Sequence, residues 1–126
     1  MTNYTDTITR LKRMHDRVDE DVRQQWLNLA KLIREGEEEE DARISTRFIK
    51  HATERLEELE TKREACLFAI DTMTYVEERD DAPYSGLRFL VGKLGYATTD
   101  EARDVYLGVI LELINTVEDQ AKEVKA

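Results

Sequence analysis

Residues 38–79, EEEDARISTRFIKHATERLEELETKREACLFAIDTMTYVEER, contain neither Gly nor Pro. Those two residue types are the strongest punctuators of a chain, so a stretch this long without them reads as one continuous helix. Its apolar positions Ile49, Ala52, Leu56 and Leu59 recur in steps of three and four, the seam along which one helix meets another. Arg63 interrupts the seam, and Cys66, Ile70 and Met73 resume it. Between residues 65 and 70 all six side chains are apolar, so every face of that segment needs a cover.

Working toward the N-terminus, residues 6–34 form a second seam from Ile8, Leu11, His15, Val18, Val22, Leu29 and Leu32, widened by Trp26 and Ile33. Thr5 or Asp6 is placed to cap this helix, and Gly36 to stop it in a left-handed turn. Gln25 breaks the seam, and His15 occupies a position that usually holds an aliphatic side chain. Glu37, Glu38, Glu39, Glu40 and Asp41 then open the next helix, where the macrodipole favours negative charge. At 1.5 Å per residue the first helix is roughly 43 Å long and the second roughly 60 Å. An antiparallel pair of those lengths leaves the second helix uncovered beyond about Arg63.

Toward the C-terminus, the sole proline, Pro83, and Gly86 break the chain. A short helix over 85–94 follows, with Leu87, Leu90, Val91 and Leu94 turned inward and Gly95 ending it. Thr98 with Glu101 makes a capping box for a last helix over 99–124. On that helix Val105, Tyr106, Leu107, Val109, Ile110, Leu111, Leu113, Ile114 and Val117 cover roughly 240° of the circumference, where a surface helix needs little over 100°. The expected architecture is a single all-α domain over 1–126. It comprises a long, coiled-coil-like antiparallel hairpin (6–34 and 38–79), the short helix and the long C-terminal helix, in a three- to four-helix bundle. The excess apolar surface predicts a homo-oligomer with Leu107, Gly108, Leu111 and Ile114 at the contact, since a symmetric interface pairs an exposed stripe with its own copy.

The chain has 126 residues, 19 basic and 28 acidic, for a net charge of −9. Residues 1–63 carry −2 and residues 64–126 carry −7. That balance disfavours direct nucleic-acid binding, because phosphate neutralisation dominates such affinity. A single cysteine excludes a disulfide framework and a Cys-based zinc site. No apolar run approaches the roughly 20 residues of a membrane span. Charged residues from Asp6 onward give no secretory leader, so a cytoplasmic protein is expected.

Catalytic signals are sparse. Cys66 lies inside the apolar run, where a thiol is ordinarily inert. His15 and His51 fall on different helices without Glu-x-x-His pairs, which leaves out a ferritin-like di-iron site. Glu54-x-x-Glu57 and Glu77-x-x-Asp80 supply the carboxylate types with which all-α nucleotide pyrophosphohydrolases hold Mg²⁺. Residues 57 and 77 nevertheless lie about 30 Å apart on one helix. No Gly-rich phosphate loop or hydrolase elbow is present. The expectation is therefore a non-enzymatic, acidic helical module that binds a protein partner and its own copies, with no metal or cofactor.

Two further readings remain open. Glu77, Glu78, Asp80 and Asp81 form an acidic surface of the kind that a small phage-type inhibitor uses to imitate nucleic acid before a nucleic-acid-binding protein. In the 75–96 connector, Tyr75, Arg79, Tyr84, Arg88, Lys93 and Tyr96 interleave aromatic rings with three of the second half's six cations. Stacking faces beside cations suit a small anionic ligand such as a nucleotide, or an acidic segment of a partner, and a Mg²⁺-dependent nucleotide pyrophosphohydrolase is a further alternative at this place.

Overall fold

The structure, a computed structural model, describes residues 4–38, 42–79 and 83–125. They form four helices: α1 (Thr5–Glu38), α2 (Ala42–Glu78), α3 (Pro83–Gly95) and α4 (Asp100–Lys125), with no strand among the described residues. The chain is all-α. α2 runs unbroken through Arg63, as the absence of Gly and Pro requires.

Boundaries at all four helices differ from the sequence reading, and α3 begins at Pro83 rather than at 85 and carries Gly86 inside it. Gly36 does not stop α1, which continues to Glu38, and no described glycine has a positive φ. A glycine inside a helix costs about 1 kcal/mol relative to Ala, which neighbouring turns absorb. Glu37 and Glu38 consequently end α1 rather than open α2, and Glu39, Glu40 and Asp41 lie outside the described residues. Thr5 lies in the first turn of α1, with Tyr4 before it accepting the first helical bond from the Ile8 N–H (2.9 Å). At α4 the cap is Thr99, not Thr98: its Oγ1 accepts from the Ala102 N–H at 3.3 Å and its carbonyl from the Arg103 N–H at 3.1 Å.

α1 and α2 are antiparallel, and three contacts fix their register. The Thr5 hydroxyl donates to Glu77 (3.0 Å), Arg63 donates to Asp19 (3.0 Å), and the Gln25 amide donates to the Ala52 carbonyl (2.9 Å). α1 thus accompanies α2 along its whole length. The expectation that α2 would outrun its mate beyond Arg63 fails, because α1 is longer than the seam suggested and α2 begins later. Both polar interruptions of the seams become cross-helix hydrogen bonds.

The core divides in two. Val18, Val22 and Leu29 meet Ala52, Leu56 and Leu59 in a helical hairpin. Tyr4, Ile8 and Leu11 meet Ala65, Cys66, Ala69, Met73 and Val76 in a body completed by Leu90 of α3 and by Val105, Val109 and Leu113 of α4. α4 runs parallel to α2: the Thr61 and Thr99 hydroxyls lie 2.6 Å apart, and Phe68 meets Tyr106 edge-on at 6.2 Å. Arg10 of α1 pairs with Glu112 of α4 across the body. Because α4 starts level with Thr61, the hairpin beyond it extends roughly 28 Å as two helices alone.

α3 folds back between α2 and α4, and Gly86 makes that approach possible. A Cβ there would stand 2.5 Å from the Val76 Cγ2 and 3.5 Å from Leu113. Leu90 is fully buried and Leu87 and Leu94 are half-buried, but Val91 faces outward, contrary to expectation. The close seat at Gly86 centres the inner face of α3 on Gly86 and Leu90, with Leu87 and Leu94 packed at its edges and Val91 turned out of it. Of the apolar run 65–70, Leu67 alone is exposed.

Candidate functional site

α4 buries Ala102, Val105, Tyr106, Val109, Ile110 and Leu113 within the chain. Its opposite face leaves Leu107 (39% exposed), Leu111 (58%) and Ile114 (36%) open to solvent. At 100° per residue these three fall within about 60° of one another, a single stripe. Gly108 lies beside it, and a Cβ added there would meet nothing within 4 Å. Crowding inside the chain therefore does not account for this glycine. On α3, Phe89 and Lys93 meet Tyr75 and Phe68 of α2, and Val91 is exposed. Gly86 sits against Leu113, which by antiparallel register places Val91 level with Gly108.

The six connector residues separate into three places. The Arg79 guanidinium lies 4.7 Å from the Tyr75 ring centroid, and Tyr75 packs edge-on against Phe89 at 6.0 Å. Tyr84 is exposed on the outer side of α3. Arg88, Lys93 and Tyr96 come together around a groove of about 450 Å³, lined also by Phe68, Phe89 and Gly92. Tyr96 is 87% exposed at its rim, and the Lys93 ammonium lies 4.9 Å from the Phe68 centroid. A smaller recess of about 130 Å³ shares Lys93 and Tyr96 and adds Thr61, Glu64 and Thr98. Phe68, Phe89 and Gly92 were not among the residues singled out from sequence. The signal was the spacing of Phe89, Gly92, Lys93 and Tyr96, which is i, i+3, i+4, i+7 and so one helix face.

The acidic cluster is only partly visible. Glu77 accepts the Thr5 hydroxyl, Glu78 is exposed, and Asp80 and Asp81 lie outside the described residues. Glu57 and Glu77 stay roughly 30 Å apart on the unbroken α2. No group of three potential metal ligands occurs among the described residues.

The perturbed ionisable groups belong to the scaffold. Burial pushes the Cys66 thiol and the Tyr4 and Tyr106 hydroxyls upward, and the Glu64 and Cys66 charges add to the effect at Tyr106. A thiol held in its neutral form is a poor nucleophile. The hydrogen bond from Arg63, then the charges of Arg23, Arg63 and His15, hold the Asp19 carboxyl below its usual range against a push from desolvation. None of these groups lines the groove or the α4 stripe.

No helix among the described residues is long and apolar enough to cross a membrane. Comparison of the chain with protein-family models, curated proteins and solved structures finds no match.

Proposed function

We propose that this chain is a non-enzymatic helical interaction protein of the cytoplasm that self-associates through the outer face of α4 and presents its hairpin to a protein partner. The observation that carries the reading is the Leu107, Leu111, Ile114 stripe, left in water by its own chain beside the unobstructed Gly108. Two copies meeting on this face would bury the stripe against itself in an isologous contact. At Gly108 the missing side chain lets two helix backbones approach closely. The hairpin extends past the start of α4, and on it Leu27 and Phe48 are exposed, as are Trp26 and Ile33, which do not widen the buried seam. These large apolar residues offer anchors of the type that dominates protein interfaces.

The test is the mass of the particle in solution, measured by light scattering against concentration. The reading expects two or more chains per particle. Leu111→Glu, on the exposed side of α4, should weaken association at least about thirtyfold while leaving helicity intact. A Trp26→Ala chain should keep its assembly and lose capture of the partner.

A further inference from the structure

The groove beside α3 is a recognition feature distinct from the α4 stripe. On the α3 helical wheel Arg88 and Lys93 stand about 140° apart, with Phe89 and Gly92 between them, and Tyr96 follows in the turn just past the end of the helix. Phe68 of α2 forms the opposite wall. The floor is bare at Gly92, where a Cβ would meet nothing within 4 Å. Neither Arg88 nor Lys93 forms an ion pair among the described residues, although the chain carries a net charge of −9. Arg88 and Lys93 thus flank an aromatic floor with no carboxylate paired to either among the described residues, and Lys93 rests on the Phe68 ring.

The two cations stand on opposite flanks of the groove, about 7.5 Å apart along the α3 axis and about 140° apart around it, so a single anionic group meets one of them at a time. The space between them, about 450 Å³, takes one ring and one anionic group rather than the length of an acidic peptide. The neighbouring recess carries Glu64, whose charge repels an anion, so the anionic end belongs on the Arg88 side of Lys93. The volume, about 450 Å³, falls within the range of small-molecule sites.

We propose that this groove binds a small planar aromatic anion of the nucleoside monophosphate class. The ring lies across Gly92 between Phe89 and Tyr96, and the phosphate is held by Arg88 on the flank away from Glu64, with Lys93 on the other flank.

The experiment is an amide NMR titration of the whole chain with AMP, UMP and 1-anilinonaphthalene-8-sulfonate. Adenosine, inorganic phosphate and a Glu-rich peptide serve as comparisons. Shifts centred on residues 88–96, with adenosine and phosphate each binding at least about tenfold more weakly than AMP, are expected. Gly92→Leu should fill the floor and abolish the shifts while melting no lower than the parent. If that variant does not fold, the exposed pair Arg88→Ala, Lys93→Gln carries the same test. Self-association is separable, because Leu111→Glu chains should bind AMP as the parent does. The proposal is overturned if neither AMP nor UMP shifts the groove, whatever the sulfonate dye does, or if adenosine matches AMP. Tighter binding of the peptide than of AMP, or groove signals that move with protein concentration alone, overturns it equally.

Discussion

One absent methyl group sets the distance of α3 from the core. Gly86→Ala would drive its Cβ to 2.5 Å from a Val76 methyl, and Val76 is buried and β-branched, with little freedom to retreat. The expected cost is about 1–3 kcal/mol, read as a lower urea midpoint. The same change at Gly108, which faces open space, should leave the fold as stable or slightly more so. Equal midpoints for the two variants would contradict the packing of α3. Sequence marks both glycines identically, since what separates them is a neighbour contributed by another helix. Asp19 behaves similarly: Arg63 looked like a break in one seam, and only the register of α1 on α2 reveals the carboxylate opposite. With its folded pKa lowered, Asp19 contributes stability above the ordinary aspartate range, and this is lost as pH falls through the lowered value. Asp19→Asn should therefore flatten the loss of stability between about pH 5 and pH 2, followed by denaturant titration at each pH. Superimposable curves for parent and variant would show that the pair contributes nothing.

At the level of elements, punctuation located the helices and misplaced their ends. Gly36 carried no stop because a glycine ends a helix only where the chain needs φ > 0, and α1 continues through it. The cap of α4 moved by one residue although Thr98, with Glu101 three residues on, carries the capping-box pattern and Thr99, with Ala102, does not. Thr61 of α2 selects Thr99, whose hydroxyl lies 2.6 Å from its own. Thr99→Ala should cost about 0.5–2 kcal/mol in thermal or urea unfolding, and Thr98→Ala less than about 0.5 kcal/mol. The reverse order would restore the capping box read from sequence. The groove was half legible for a related reason. Its cations stood out against an acidic background, while Phe68 read as ordinary core until α3 lay alongside it.

On the scale of the molecule, two hydrophobic clusters that meet at Met14 give the chain a four-helix body and a two-helix hairpin. The body brings four helices together around Cys66, Met73, Leu90 and Leu113, each buried to below 2% exposure. The hairpin stands on two helices and the narrow seam of Val18, Val22, Leu29, Ala52, Leu56 and Leu59. The contrast in charge between halves foreshadowed this division, and so did the breadth of the apolar coat on α4. That coat is shared between an inner face that the chain covers and an outer stripe that it does not. Sedimentation of the parent chain beside Leu111→Glu addresses the central claim most directly. The account predicts a multi-chain particle for the parent and a single folded chain for the variant. A parent that sediments as one chain at its highest soluble concentration, with the α4 stripe still in water, would contradict it.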